Sequence, residues 1–252
     1  MIQFRDMLNE TELAALRRLL NASNAADNTA YSLPDDADLY WLYYGDSSAS
    51  NQPEAILCAY HMGEMHNGLE IDELLCFTLP PLRGQGRFRR LFRAAKPLLR
   101  PSLRFCVQEN STARDFLSHM NARFEHEEQL MELSLDRFSE KTSGEQQDQS
   151  PVPDFPLSFV KDGPVLHVTC RYGECSLYPQ GSRCYLFGVL VYERFRGKHY
   201  GSRLLGSVLS GLRSDGFSSV YLEVASDNLP AVRLYQNCGF RITERLSYYY
   251  ME

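Results

Sequence analysis

Two stretches of this chain carry residue types that could do chemistry. Residues 191–206 read VYERFRGKHYGSRLLG: a strand end, a short basic glycine loop and the first turns of an amphipathic helix. Backbone N–H groups at such a loop and helix N-terminus converge and can hold a pyrophosphate. Residues 228–240 read NLPAVRLYQNCGF. They supply Asn228, a helix with one apolar face, and Tyr235 just before a Gly-Phe turn. Asn228 suits the N-cap of a helix that starts near Pro230, and it suits equally a hydrogen bond to a bound ligand.

In this order and spacing the two stretches resemble the GNAT superfamily of acetyl-CoA-dependent N-acetyltransferases. The resemblance implies acetyl-CoA as cosubstrate and a phosphate loop of the pattern Gln or Arg, two residues, Gly, one residue, then Gly or Ala. Arg196 and Gly201 fit that pattern. His199 stands where the first Gly is expected, which matters if the position needs positive φ, although His tolerates that better than most residues. By the resemblance, Arg196, Gly197, Lys198, His199, Tyr200, Gly201 and Ser202 face the diphosphate. Val189, Leu190 and Val191, on the preceding strand, meet the pantetheine arm mainly through backbone groups, as an added strand would.

Acetyl transfer in this family is usually direct: an amine attacks the thioester carbonyl and the thiolate leaves. Tyr235 then occupies the place of a general acid for the leaving group. Many relatives keep a basic Glu on the strand before the loop, but residues 185–191 contain no carboxylate. Glu223, in the YLEV strand, is the nearest candidate; Glu193 lies in the loop, and Asp72 and Glu73 sit on the equivalent strand of the first half. Without the resemblance, Tyr235 is an ordinary half-buried helix tyrosine and Glu223 an outward-facing strand glutamate. The rival to an enzyme is a non-catalytic CoA-binding or regulatory interaction module, favoured by His199 and the absent strand carboxylate, opposed by Tyr235.

A weaker copy of both stretches lies in the first half. TLPPLRG at 78–84 lies over VYERFRG at 191–197, and ENSTARDFL at 109–117 over DNLPAVRLY at 227–235. Here the loop reads Arg83-Gly84-Gln85-Gly86-Arg87-Phe88. Phe88 replaces the closing small residue and is expected to crowd a diphosphate. Leu117 replaces Tyr235 and has no proton to give. The expectation is a tandem α/β (α+β) protein: a degenerate GNAT-like domain at 1–137, a polar linker at 138–153 (FSEKTSGEQQDQSPVP), and the catalytic domain at 154–252. Each domain is expected to hold a mixed, mostly antiparallel sheet flanked by helices.

Periodicity places helices at 10–20, 85–97, 111–119, 200–214 and 229–236. Strands are expected at 39–44, 55–61, 69–79 and 103–108, one or two over 123–135, then at 157–161, 164–171, 174–178, 184–191, 219–224, near 240 and at 247–251. Only strands separate the linker from the second loop, so the second half lacks the helices that in relatives build an acceptor pocket. Of 252 residues, 44% are hydrophobic and 23% charged, as in a globular protein. No apolar run is long enough to span a bilayer, and the N-terminus lacks an apolar signal core, so a cytoplasmic protein without membrane contact is expected. No CxxC pair or matching His spacing appears, and the seven cysteines read as unpaired structural thiols with no metal. No basic stripe with interleaved aromatics favours nucleic acid. Residues 1–137 carry 14 basic and 20 acidic side chains, residues 154–252 carry 11 and 9. The acidic half biases the acceptor towards a cation, a small-molecule or peptide amine; a monomer or homodimer is expected.

Overall fold

The computed structural model describes residues 1–45, 52–64, 68, 70–109, 112–138 and 156–252. Nearly all of the linker at 138–153, and Asn110 of the first-half copy, lie outside them. Contacts divide the chain into two compact units, Met1–His126 with Leu246–Glu252, and Glu127–Arg245.

The first unit runs β1 (Ile2–Arg5), α1 (Glu10–Asp27), β2 (Leu39–Tyr43), β3 (Ala55–Glu64), β4 (Glu70–Thr78), α2 (Arg87–Ala95), β5 (Ser102–Gln108) and α3 (Ala113–His119). Its strands lie in the order β1-β2-β3-β4-β5, antiparallel except for the parallel pair β4–β5. A capping box between Asn9 and Glu12 starts α1, satisfying two backbone donors reciprocally. Its buried stripe is Leu16, Leu19 and Leu20. The polar stretch after Leu20, expected to be loop, continues the helix to Asp27, because its alanines favour helix and Asn28 supplies a left-handed C-cap at φ 51°. The four-residue β1 was not expected; it is too short to show a periodicity of its own.

The second unit takes β6 (Arg123–Ser134) from Glu127 onward, then β7 (Ser158–Asp162), β8 (Val165–Cys170), β9 (Gly173–Gln180), β10 (Arg183–Val191), α4 (Tyr200–Ser214), β11 (Ser219–Ala225), α5 (Leu229–Asn237) and the start of β12 (Arg241–Met251). Its strands lie in the order β6-β11-β10-β9-β8-β7, again with one parallel pair, β10–β11. Chain order and strand pairing divide the molecule differently. β6 precedes the linker yet pairs with β11, from Ser219 opposite Ser134 to Ala225 opposite Glu128. The end of β12, Leu246–Met251, pairs with β5. The last strand of each half therefore completes the sheet of the other unit, a long-range pairing that domain boundaries drawn along the chain do not contain.

In the second unit α4 and α5 cover one face of the sheet. Leu204, Leu205, Val208 and Leu209 of α4, with Val232 and Tyr235 of α5, pack on Cys184, Leu186, Val220, Leu222 and Val224. The intervening strand residues Tyr185, Phe187, Tyr221 and Glu223 alternate to the opposite face, and among the described residues no α-helix of this unit precedes α4.

One irregularity shapes β10. Phe187 faces Ser176 and Leu190 faces Glu174, so β10 holds one extra residue against β9, at Gly188 with φ 61°. Such a bulge shifts the side-chain alternation by one residue. It also brings the Leu190 carbonyl so close to Gly173 that a Cβ there would lie 2.2 Å from the oxygen. Gly173→Ala is therefore expected to destabilise the protein by about 1–3 kcal/mol, the usual range for overpacking. Gly206→Ala, in α4 with nothing within 4 Å of the added carbon, is expected to stabilise it by about 0.5–1 kcal/mol. Denaturant unfolding of the two variants beside the wild type checks both signs.

Candidate active site

The site begins where β10 and β11 part. Their parallel pairing covers only Arg183–Tyr185 opposite Ser219–Tyr221. Beyond it β10 continues to Val191 and β11 to Ala225, so the edge of β10 facing β11 has no ladder partner there. After the bulge, Val189 packs against the core and Val191 approaches Gly201, while Leu190 is 40% exposed. An unpaired, bulged edge of this kind offers backbone donors and acceptors to an extended ligand.

Beyond Val191 a 3-10 turn, Glu193–Phe195, leads into the loop. Phe195 N–H donates to the Tyr192 carbonyl at 2.8 Å and Arg196 N–H to that of Glu193 at 3.1 Å. Arg196 is extended, Gly197 has φ 71°, and His199 has φ 60° and ψ 10° as the N-cap of α4. His199 thus occupies a left-handed position. No side chain caps α4, so its first N–H groups stay available to an anion. The first unit repeats the trace: Gly84 has φ 72°, and Gly86, the N-cap of α2, has φ 75° and ψ 11°. Even the tether of the loop arginine recurs, Arg196 Nε to the Val191 carbonyl at 3.0 Å and Arg83 Nε to the Thr78 carbonyl at 3.4 Å.

The side chains around the two loops differ. In the second unit Tyr200 stacks on Tyr172 at 4.0 Å with Phe195 edge-on at 5.5 Å. Arg171, Arg194 and Arg203 lie over these rings, and Lys198 Nζ donates to the Arg194 carbonyl. Among the described residues none of Arg171, Arg194, Arg196, Lys198 and Arg203 is in an ion pair, and the loop keeps its positive field. Ser202 follows in the first turn of α4. Gly201 is buried, and a Cβ there would meet Leu234 at 3.1 Å and Val191 at 3.3 Å; its missing side chain lets α4 pack on α5 and β10. A bulged edge, a free helix N-terminus and unneutralised cations are a donor set that fits a long diphosphate ligand such as acetyl-CoA.

In the first unit Arg83 is held by Asp27 of α1 at 2.7 Å and Arg87 by Glu54 at 2.6 Å. Phe88 stacks on Phe92 and meets Phe116 edge-on. The ring folds against these neighbours and lines, without filling, a cavity of about 650 Å³ bounded also by Leu74, Phe105 and Leu117. β4 stays in register with β3 from Thr78 opposite Ala55 to Ile71 opposite Met62, so it has no bulge beside its cleft.

Tyr235 projects from α5 into the core of the second unit and is 7% exposed. Burial, with smaller contributions from Cys175 and Cys238, pushes its pKa up to about 12, so the phenol keeps its proton at neutral pH. No described residue hydrogen-bonds its hydroxyl. Glu223 lies on the opposite face, within reach of solvent. Desolvation against the sheet raises its pKa above the ordinary carboxylate value, Glu128 adds to the rise, and a hydrogen bond from Tyr185 opposes it. Asn228 accepts from Ala231 N–H at 3.3 Å and caps α5. None of the seven cysteines is in a disulfide. Burial raises Cys175 to about 12 and Cys184 to about 11, which leaves them un-ionised and poor nucleophiles. The described residues contain no group of ligands able to hold a metal, and none of their helices is long and apolar enough to cross a membrane. Two features of the site were not anticipated, the bulge and the Tyr185 contact. Glycines inside a strand run, Gly173 and Gly188, were the available signal for the first.

Comparison with known proteins bears on the same residues. Residues 128–240 match the Acetyltransferase (GNAT) family. The chain is 37% identical over 67 residues to a [ribosomal protein bS18]-alanine N-acetyltransferase of Haemophilus ducreyi, covering 26% of this chain and 46% of that protein. It is 30% identical over 95 residues to the N-alpha-acetyltransferase MAK3 of Arabidopsis thaliana, covering 38% and 48%. The matched segments thus span about half the length of these relatives. Among solved structures, a GCN5-related N-acetyltransferase from Sphaerobacter thermophilus superposes on the whole chain and 95% of its own with TM-score 0.70 at 15% identity. A tandem GNAT protein from the clavulanic acid biosynthesis pathway does so over the whole chain and 98% of its own with TM-score 0.65 at 13% identity. At these identities the structures show the fold.

The left-handed His199 gives a sharp expectation. His199→Gly removes a backbone strain of about 1–2 kcal/mol and is expected to raise or maintain the melting temperature. His199→Val, with a branched side chain at the same φ, is expected to lower stability by about 1–2 kcal/mol. Thermal unfolding of both variants measures the difference.

Proposed function

We propose that this chain, which carries an acetyltransferase domain of the GNAT family over residues 128–240, transfers acetyl to a primary amine in its second unit, with Glu223 as general base and Tyr235 as general acid. What carries this reading is that, among the described residues, the loop cations stay free of carboxylates in the unit that holds Tyr235, whereas Arg83 and Arg87 are neutralised in the unit that has Leu117. Bound acetyl-CoA would supply the acetyl group as a thioester with a thiolate leaving group. Arg196–Ser202 and the N-terminus of α4 hold the phosphates, and the backbone of Val189–Val191 orients the arm. Glu223 takes a proton from the acceptor ammonium, and Tyr235 holds one for the departing sulfur. The acceptor approaches over the face that, among the described residues, no α-helix of this unit covers, where Glu223 and Glu128 attract a cation. The names of the two relatives, one acting on an alanine of a ribosomal protein and one an N-alpha-acetyltransferase, support the α-amino group of a peptide as acceptor.

Titration calorimetry with acetyl-CoA is expected to show a single site that Gly201→Phe abolishes and Phe88→Gly does not duplicate, since Asp27 still neutralises Arg83. With a peptide bearing a free N-terminal alanine as acceptor, Tyr235→Phe and Glu223→Gln are each expected to lower kcat by about a hundredfold while the affinity for acetyl-CoA holds. The base works only when ionised, so the wild-type rate should rise with pH through the raised pKa of Glu223. Tyr235, at about 12, stays protonated across that range. Binding without turnover of any amine would make the chain a non-catalytic CoA-binding module instead.

A further inference from the structure

The strands β10 and β11 share their last paired residues at Tyr185 and Tyr221. Glu223 lies two residues further along β11 and on the same face as Tyr221, by strand alternation. It therefore stands at the mouth of the cleft, past the point where β10 could fix it through the ladder. Tyr185 restores a link: its hydroxyl donates to Glu223 Oε2 at 3.4 Å. The ring that carries this hydroxyl is held in a row of aromatics, stacked on Phe187 at 5.4 Å and tilted against Tyr221 at 5.1 Å. The Tyr221 hydroxyl is itself engaged with Gln180 at 2.6 Å.

We propose that Tyr185 is the positioning residue of the general base: it holds one oxygen of the Glu223 carboxylate and stabilises its ionised form, leaving the other oxygen to accept the acceptor's proton. This rests on the reading of Glu223 as base. In the step it serves, an N–H bond of the acceptor ammonium breaks, an O–H bond forms on Glu223, and the amine keeps the electron pair. Tyr185 retains its own proton throughout; burial first, and Glu223 second, push its pKa up to about 12. The groups around Glu223 act in opposite directions. Glu128 on β6 disfavours its charge, Glu244 on β12 is close enough to interact with it, and the Tyr185 hydroxyl favours the charge. A hydrogen bond to the ionised form favours the charged carboxylate against these like charges.

Tyr185→Phe keeps the ring and its stacking while removing the donor. In the full chain with carboxyl-labelled glutamate, and with the Glu223 signal assigned by its loss in Glu223→Gln, the NMR titration midpoint of Glu223 is expected to move upward in Tyr185→Phe. The acidic limb of the rate profile, with the N-terminal alanine peptide as probe, should move the same way. At neutral pH kcat should fall roughly threefold to tenfold, the effect of one hydrogen bond, with KM for acetyl-CoA and the melting temperature unchanged. An unmoved midpoint overturns the role of Tyr185 even where Glu223→Gln is inactive. A Glu223→Gln protein with the wild-type rate overturns the base itself, and the proposal with it.

Discussion

Parallel pairing between β10 and β11 lasts three residues, and the geometry of the second unit is organised around its end. Parallel neighbours require a crossover, here through α4, so the loop that enters α4 must sit beside the ends of both strands. In open α/β sheets the carboxyl ends of parallel strands are where ligands bind. The Gly188 bulge then turns Val189 and Val191 inward and Leu190 outward, which anchors the strand end to α4 while freeing its backbone edge. Gly173 is what permits the bulge, since any side chain there would meet the Leu190 carbonyl. The cleft and the loop beside it are consequences of where a ladder stops and of two glycines that let it stop.

The two units show how little of this is specific to chemistry. Arg83 and Arg196 keep the same extended backbone and the same tether to a carbonyl, and Gly86 and His199 share a left-handed N-cap. A left-handed residue at that point is what lets the chain turn from the 3-10 segment into the helix, so His199 is retained in spite of its Cβ. Besides the β10 bulge, what separates the two loops is side-chain electrostatics laid on one backbone trace. An α1 helix ending at Asp27 places a carboxylate on Arg83. Among the described residues the second unit has no α-helix before α4 and leaves Arg196 unneutralised. The helix that the resemblance would have build an acceptor pocket is also what neutralises the loop arginine of the first unit.

The local parts of this architecture were legible in the sequence. α4 spans 200–214 as its periodicity indicates, and the positions of Tyr235 and the two loops follow from short motifs with a direct backbone meaning. Phe88 was read correctly as a bulky residue at the helix start, but its ring turns onto Phe92 and Phe116, and the volume expected to close remains open. The helical extension to Asp27 was hidden because Asn21, Ser23, Asn24 and Asp27 read as loop residues, although the alanines between them favour helix. The strand exchange was not legible at all. β6 and β12 have ordinary alternating patterns, and nothing within a strand reports which partner completes it. The Tyr185–Glu223 contact is of the same kind, joining residues 38 positions apart through a register that only the folded sheet sets.

The proposed acid and base must work at one pH, and the sheet gives the two residues different environments. Tyr235 lies on the covered face, where burial raises a phenol that already holds its proton. Glu223 lies on the uncovered face, where the same physical effect acts more weakly because water still reaches the carboxylate. Had both faces been covered by helices of the unit, desolvation would have raised Glu223 further and cost it its charge. Had neither been covered, Tyr235 would have had no core to pack into. A sheet with helices on one face and an open surface on the other gives Tyr235 and Glu223 opposite sides of one strand layer, and the proposed mechanism requires the splay between β10 and β11 to be the opening through which both reach the same bond.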